Sequence, residues 1–334
     1  MNKILFILFF YCGVNLTIGI CQNYEILTYD DFERTVNNLE QEEKYIESIE
    51  LTKNVLQLFP DKRFELIKEL EFLNKKTERY QDNLVLWKEG HSNGFFFLLN
   101  KQMKQYEPYL SFVEFDSLVI NDIKLRSQAL EKSKSIYEVF LPNNYSTNTQ
   151  YPLLLILHGG GSNIDKAKQR WKIDDKIESQ FIVVFLQSYR HYDSKTFGWR
   201  SLDSRAHQEL KGIYNEVVEN YLVDKSRILI GGTSAGGTMA IELALNQIIP
   251  ATGVIGFCPG KPQELIINND RKKDIKIFML GGELDYYLQK QKELAEIFTN
   301  EQINFKHIIV TGMEHEFPSD YEMVIKDALL YINQ

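Results

Sequence analysis

Residues 227–237 read RILIGGTSAGG, an apolar run that leads directly into a Gly-x-Ser-x-Gly motif at residues 232–236. The apolar run predicts a strand, and the small residues after Ser234 predict the first turn of a helix. A serine at such a junction stands on a sharp turn, where flanking glycines avoid the collisions that a Cβ would cause. We therefore expect Ser234 to be a nucleophile; the alternative is a glycine-rich turn in which the serine only caps the helix.

Apolar strands and helical segments alternate from residue 112 onward. The predicted strands are 135–141, 152–157, 181–185, 227–230, 253–257, 275–280 and 305–310. The predicted helices are 165–179, 204–221, 235–246, 287–300 and 320–332. Strands that are apolar on both faces are typical of a parallel sheet covered by helices on both sides. The sequence therefore predicts an α/β domain over residues 112–334.

Residues 1–21 have the pattern of a secretory signal peptide. Lys3 is followed by the apolar run 4–11 and then by small or weakly polar residues up to Cys21. Such a run is too short to span a membrane, so we expect export to the periplasm or the extracellular space and no transmembrane span in the mature chain. Lipid attachment at Cys21 is the less favoured alternative, because Ile20 directly before it is not a small residue.

Residues 22–111 are rich in charge and carry apolar residues at helical spacing. The pattern Tyr45-x-x-x-Ile49 returns as Tyr80-x-x-x-Leu84, which hints at a helical repeat of the tetratricopeptide type. An irregular helical bundle is favoured over a repeat, because the small residues that such repeats use at helix contacts are mostly missing. A protein partner for this region is an open alternative.

Charge and cysteine content exclude several classes of function. The chain carries 38 basic and 46 acidic residues, for a formal charge of −8, so no basic surface favours a nucleic-acid partner. No Cys/His spacing is typical of a metal site, and we expect neither a metal nor a cofactor. Cys258 is the one cysteine that follows residue 21, which excludes an intramolecular disulfide in the mature chain.

A nucleophilic serine requires a base, usually histidine, and a carboxylate that orients the base. In an α/β sheet these groups lie on loops beyond the carboxyl ends of the strands. Asp285 follows the predicted strand 275–280, with Glu283 as the weaker alternative. His315 follows the last predicted strand and is the one histidine that comes after both Ser234 and Asp285 on such a loop. We therefore predict Ser234, Asp285 and His315 as catalytic residues.

A glycine loop, His158-Gly159-Gly160-Gly161, directly follows the predicted strand 152–157. Backbone N–H groups in a loop without side chains can stabilise a developing oxyanion. We expect Gly159 or Gly160 to supply one such donor and Ala235, the residue after the nucleophile, to supply the other. His158 itself is expected to be structural.

The C-terminal two-thirds of the chain resembles the α/β-hydrolase fold and, within it, the carbohydrate-esterase and feruloyl-esterase-like group. The matching stretches are YEVFLP at 137–142, YPLLLILHGG at 151–160, GTSAGG at 232–237, GELD at 282–285 and HEFP at 315–318. The resemblance implies a serine esterase that works without a cofactor, with its residues in the order Ser, Asp, His. It does not extend to residues 22–110.

The substrate pocket is indicated by aromatic and basic residues near these motifs. Trp199 and Arg200 lie on the loop after the predicted strand 181–185, and Tyr286 follows the acid. They could hold a small-molecule or carbohydrate-linked ester, or they could serve packing alone. The sequence as a whole favours an exported serine carboxylic ester hydrolase. The alternatives are a serine peptidase of the prolyl-oligopeptidase type and a non-catalytic binding protein that uses its helical region.

Overall fold

Two compact units make up the protein in a computed structural model that describes residues 24, 26–172, 180–267 and 274–333. The first unit contains the described residues up to Asn93 together with Lys101–Leu118, and the second contains Gly94–Asn100 and the described residues from Val119 on. The predicted signal peptide, residues 1–21 with Cys21, lies outside the described residues. No helix in the described residues has the length and apolar character needed to cross a membrane.

The first unit is helical, as the spacing of its apolar residues predicts. Its helices are α1 (Tyr29–Gln41), α2 (Tyr45–Val55), α3 (Arg63–Lys76), α4 (Tyr80–Ser92) and the start of α5 (Val113–Lys132). Thr28 caps α1 by accepting a hydrogen bond from the backbone N–H of Asp31, whose carboxylate bonds back to Thr28. The indole of Trp87 is fully buried, with the rings of Tyr109 and Phe115 at 4.7 and 5.8 Å between centroids.

The second unit is built on a seven-stranded sheet. The strands are β1 (Ile136–Phe140), β2 (Tyr151–Leu157), β3 (Ile182–Gln187), β4 (Val223–Thr233), β5 (Gly253–Phe257), β6 (Lys276–Gly282) and β7 (Asn304–Val310). Their order across the sheet is β1-β3-β2-β4-β5-β6-β7. Only β1 runs antiparallel to its neighbour among these strands, and the other pairs are parallel. The predicted, mostly parallel sheet is confirmed.

Helices cover both faces of this sheet. They are α6 (Ile164–Arg170), α7 (Ser204–Asn220), α8 (Ala235–Leu245), α9 (Leu288–Asn300) and α10 (Tyr321–Asn333). Alternate residues of β2 point to opposite faces, so Leu155 packs among residues of α7, α8 and α9, and Ile156 packs among residues of α6 and α10. Each fully buried side chain of this size contributes about 1.5–3 kcal/mol to folding. The helix predicted over 165–179 ends at Arg170, and 173–179 lie outside the described residues.

The parallel strands end along one edge of the sheet. Leu157, the last residue of β2, lies opposite Gly232 of β4, and Gly282, the last residue of β6, lies opposite Val310 of β7. The loops that follow these strands carry the glycine loop, Ser234, Asp285 and His315. The sheet therefore brings together residues that are far apart in the sequence.

Candidate active site

Ser234 lies on the turn between β4 and α8 in a backbone conformation that is rare outside glycine. Its φ and ψ are 54° and −121°, and its N–H donates to the carbonyl of Phe257 over 2.8 Å. A Cβ on Gly232 would lie 2.3 Å from the carbonyl carbon of Gly236, and a Cβ on Gly236 would lie 2.3 Å from the carbonyl oxygen of His158. The two motif glycines are thus required for the close approach of strand and helix that exposes the serine.

Three side chains form a continuous hydrogen-bonded chain at this turn. His315 Nε2 lies 2.9 Å from Ser234 Oγ, and His315 Nδ1 lies 2.7 Å from Asp285 Oδ1. A carboxylate only accepts hydrogen bonds, so Nδ1 carries the proton and Nε2 is free to accept the serine proton. The carboxylate of Asp285 is fully buried, whereas the imidazole of His315 is 16% exposed. Glu283, the weaker alternative acid, accepts the N–H of Gly312 instead.

The carboxylate of Asp285 is held by neutral donors as well as by the histidine. Oδ1 also accepts the backbone N–H of Tyr287 over 2.8 Å, and Oδ2 accepts the side-chain amide of Gln291 over 2.8 Å. Sequence reasoning did not single out Gln291, because a glutamine on an amphipathic helix carries no signal of such a role. The arrangement keeps a buried charge solvated by fixed dipoles.

The glycine loop lies directly against the serine turn. A Cβ on Gly160 would lie 3.5 Å from the Cβ of Ala235, and a Cβ on Gly159 would lie 3.5 Å from the carbonyl oxygen of Thr233. Gly161 donates its N–H to Phe197, while the N–H groups of Gly159 and Gly160 make no hydrogen bond to the other described residues. The N–H of Ala235 is in the first turn of α8, where helix geometry supplies no intrahelical acceptor. These amides can therefore bind an anionic oxygen.

His158 holds the glycine loop in place. Its Nδ1 donates to the carbonyl of Gly159 over 2.6 Å, and its Nε2 accepts the N–H of Ser188 over 3.3 Å. Burial lowers the pKa of His158 to about 4, so the ring is neutral at physiological pH and can accept at Nε2. The structural role expected for His158 agrees with these contacts.

Trp199 and Arg200 differ in their surroundings. Trp199 is buried; its indole N–H donates to the carbonyl of His158 over 2.8 Å, and its ring lies 5.0 Å from the imidazole of His158. Arg200 is exposed and makes no described contact with Ser234 or His315. These contacts of Trp199 with His158 stabilise the glycine loop. A substrate-binding role stays a prediction for both residues.

Three tyrosines surround the serine and the histidine. The ring of Tyr286 lies over the imidazole of His315 at 4.1 Å between centroids and an interplanar angle of 31°, and Tyr287 presents its ring at 5.3 Å and 90°. The hydroxyl of Tyr192 would lie 3.4 Å from a Cβ on Gly160. Burial and the neighbouring Tyr287 raise the pKa of Tyr192, so its phenol stays neutral. Of the three, the sequence-based site prediction contained Tyr286.

The loop that carries Tyr192 is hydrogen-bonded to Phe96, in the segment 94–100. Ser194 exchanges backbone and side-chain hydrogen bonds with Phe96, at 3.1 Å to its carbonyl and 2.7 Å from its N–H. The ring of Phe96 packs edge-on against His191 at 5.5 Å. Residues 94–100, which the sequence groups with the helical region, therefore belong to the second unit and support its pocket loop.

Cys258 is a buried residue beside Asp285 and His315. Its Sγ bonds to the carbonyl of Glu316 over 3.2 Å, and its ligand atom lies within 4.8 Å of those of Asp285 and His315. Burial, with Asp285 nearby, raises the pKa of the Cys258 thiol to about 12. A metal ion here would need this thiol to lose its proton and would compete for the bond between Asp285 and His315. We therefore assign the group to the serine site.

Two family models match overlapping parts of the chain. The model described as Phospholipase/Carboxylesterase matches residues 201–333, and the model described as BD-FAE matches residues 137–251. Together they cover the glycine loop, the serine turn and the loops of Asp285 and His315. No curated protein sequence matches the chain.

The chain is also similar to solved structures. An uncharacterized protein from Bacillus cereus ATCC 10987 has a TM-score of 0.50 at 20% identity, covering 92% of this chain and 100% of that one. A ferulic acid esterase has a TM-score of 0.49 at 16% identity, covering 60% of this chain and 92% of its own. A phospholipase/carboxylesterase from Dyadobacter fermentans DSM 18053 has a TM-score of 0.46 at 17% identity, covering 59% and 96%. The sheet order gives the chain the α/β-hydrolase fold, and its residues 137–333 are similar to the Phospholipase/Carboxylesterase and BD-FAE families.

Proposed function

We propose that the protein hydrolyses carboxylic esters through an acyl-enzyme formed on Ser234. The observation that carries this proposal is the hydrogen-bonded chain from Ser234 Oγ through His315 to the buried carboxylate of Asp285. Serine is a weak nucleophile at neutral pH, and this chain supplies the base that activates it. The family matches support ester cleavage in general; the assignment of each residue below rests on the geometry.

In the acylation step, Ser234 Oγ bonds to the ester carbonyl carbon while His315 Nε2 takes the serine proton. The carbonyl oxygen becomes an oxyanion that the N–H groups of Ala235 and Gly160 stabilise, with Gly159 beside them. When the tetrahedral adduct collapses, the bond to the leaving alcohol breaks and His315 returns the proton to that alcohol. Asp285 keeps the imidazole in the productive tautomer and stabilises its protonated form.

Deacylation repeats the sequence with water. His315 takes a proton from water as its oxygen attacks the acyl carbon, and the bond to Ser234 Oγ then breaks with the proton returned to the serine. The products are a carboxylic acid and the free enzyme, so no external electron donor or acceptor is required. This balance of atoms and electrons agrees with a mechanism that uses only the residues of the site and water.

The tyrosines favour a small ester with a planar or ring-shaped part. Tyr192, Tyr286 and Tyr287 present ring faces, ring edges and hydroxyls around the nucleophile, which suits aromatic rings and sugars alike. We propose a small-molecule or carbohydrate-linked ester as the substrate. The pattern of residues 1–21 supports the further proposal that the enzyme acts after export.

The first experiment is intact-mass labelling with a fluorophosphonate, alongside turnover of p-nitrophenyl acetate. The wild-type protein is expected to gain one adduct and to turn over the ester. Ser234→Ala is expected to lose both and to keep its fold, because alanine fits the same turn. Ser117→Ala, an exposed serine of α5, is the matched control and should behave as wild type. Turnover that survives in Ser234→Ala would refute the proposal.

A further inference from the structure

The buried carboxylate of Asp285 has a second side that no residue of the proposed mechanism occupies. Its Oδ1 accepts from His315 and from the N–H of Tyr287, whereas its Oδ2 faces α9 and accepts the amide of Gln291 over 2.8 Å. No Lys or Arg in the described residues forms an ion pair with this carboxylate. Gln291 therefore donates to Oδ2 of Asp285, the carboxylate oxygen that does not bond to His315.

Gln291 is positioned from two directions. Its side chain is fully buried, and its backbone N–H donates to the carbonyl of Tyr287 in the first turn of α9. At the other end of the amide, Oε1 lies 3.3 Å from Nε2 of His307 on β7. A carboxylate accepts only, so the amide nitrogen must face Asp285 and the amide oxygen must face the donor on His307. The orientation of this amide is thus determined by its partners.

Gly281 of β6 leaves space for the side-chain amide of Gln291. A Cβ on Gly281 of β6 would lie 2.0 Å from Oε1, 2.7 Å from Cδ and 2.8 Å from Nε2 of Gln291. Gly281 does not have a positive φ among the described residues, so the absence of a side chain, rather than an unusual backbone, is what the position requires. Gly281 therefore accommodates the side-chain amide of Gln291.

We propose that Gln291 is a positioning residue for the ester-cleaving reaction, acting on Asp285, and that His307 acts on the same chain through Gln291. The hydrogen bond from Gln291 fixes the rotation of the carboxylate and keeps Oδ1 aimed at His315. The chain of bonded groups then runs from His307 through Gln291, Asp285 and His315 to Ser234. This inference rests on the function proposed above.

The test is Gln291→Met, which keeps the length and volume of the side chain but removes the donor. The value of kcat on p-nitrophenyl acetate should fall about 10- to 100-fold, the range expected for losing one hydrogen bond to a buried charge. KM should be unchanged, because Gln291 does not touch the substrate. The rate of fluorophosphonate labelling at Ser234 should fall by the same factor. Gln289→Met, an exposed glutamine of the same helix, is the matched control and should match wild type.

A double-mutant cycle separates positioning from packing. His307→Leu should lower kcat about 2- to 10-fold in the wild-type chain, the cost of one neutral hydrogen bond. The same change should have no further effect on kcat in the Gln291→Met background, because His307 acts through Gln291. If Gln291→Met does not fold, Gln291→Asn replaces it, since the shorter amide withdraws the donor from Asp285.

The outcomes distinguish this inference from the proposed function. Wild-type kcat in Gln291→Met with an inactive Ser234→Ala overturns the positioning role alone. If Gln291→Met and His307→Leu each lower kcat and their effects add in the double mutant, His307 does not act through Gln291. Turnover in Ser234→Ala would overturn the proposed function itself.

Discussion

Each unit of the protein contains a buried carboxylate, Glu71 in the helical unit and Asp285 in the α/β unit, and the two are stabilised in different ways. In the helical unit, Glu71 has a side chain that is 3% exposed and is paired with the ammonium groups of Lys68 at 2.8 Å and Lys75 at 2.6 Å. In the α/β unit, Asp285 is paired with an imidazole and with two neutral amide donors. Permanent cations surround Glu71, whereas the one partner of Asp285 that can become a cation is a group that gains and loses a proton.

This difference separates a carboxylate that serves stability from one that serves chemistry. The lysines neutralise Glu71 in the resting protein near neutral pH, so its ion pairs contribute to the folded state. Asp285 stabilises a positive charge only when His315 takes a proton from the nucleophile, so its electrostatic effect is larger in the transition state than in the resting enzyme. Burial and a histidine partner alone do not identify a catalytic acid, since buried Glu242 is bonded to His207; the hydrogen bonds that continue through His315 to Ser234 distinguish Asp285.

Replacing the acid of the active site should have the largest effect on rate. Asp285→Asn keeps the size of the side chain but removes the charge and presents an amide that can stabilise the wrong tautomer of His315. We expect kcat to fall about 10,000-fold, as in serine hydrolases that lose this acid. Steady-state kinetics with p-nitrophenyl acetate measure the change. A fall of less than tenfold would remove Asp285 from the mechanism.

Replacing the acid of the helical unit should change stability instead. Glu71→Gln removes the two ion pairs, and we expect the free energy of unfolding near neutral pH to fall by about 1–3 kcal/mol. The value of kcat should stay at the wild-type level. Urea unfolding followed by circular dichroism, with kinetics on the same samples, checks both. A loss of kcat in a folded Glu71→Gln protein would contradict the division of roles.

The stability difference between wild type and Glu71→Gln should also depend on pH. Burial acts to raise the pKa of Glu71, but Lys68 and Lys75 outweigh it and hold that pKa below its ordinary value of 4.5. A group whose pKa is lowered by folding stabilises the native state above its unfolded pKa, and this contribution is lost as the pH falls through the folded pKa. The difference should therefore be full at pH 7 and shrink in acid. A difference that grows in acid would show the opposite shift.

The smallest effect is expected from the aromatic face beside His315. Tyr286→Leu removes the ring that lies 4.1 Å from the imidazole, and with it a favourable contact to the protonated ring. We expect kcat/KM on p-nitrophenyl acetate to fall about 2- to 10-fold, in line with the modest strength of such contacts at exposed sites. Tyr286→Phe keeps the ring and should stay near wild type. Equal losses in both variants would assign the effect to the hydroxyl instead.

Much of the fold could be predicted from local patterns. Runs of apolar residues predicted all seven strands of the described sheet, and the central strands β2 to β6 carry the longest such runs because the sheet buries them on both faces. The ends were less accurate: β4 extends from Val223 to Thr233, well beyond the predicted 227–230, because Asp224, Lys225 and Ser226 near its start are polar and largely exposed. Polar strand ends resemble loops in the sequence.

Local patterns also placed Ser234, Asp285 and His315 at strand ends, where the structure joins them by hydrogen bonds. Tyr192 was indicated only as part of a loop after a strand, and Gln291 carried no such signal, because its role depends on a partner from another element. The same holds for Phe96, whose contact with Ser194 joins segments that are distant in the sequence. Residue type and spacing cannot report these contacts.

The sequence by itself determined the order of the seven strands and of the helices that follow them, but not α5 before β1, together with the glycine turn at Ser234 and the positions of an acid and a base after later strands. These features depend on apolar periodicity and on the steric needs of single turns, which act over a few residues. The tertiary structure decided that Asp285 is held by Gln291, that Gly281 makes room for that amide and that three tyrosines surround the nucleophile. Such contacts arise only when the sheet brings distant loops to one edge, since hydrogen bonds and ring contacts depend on distances through space.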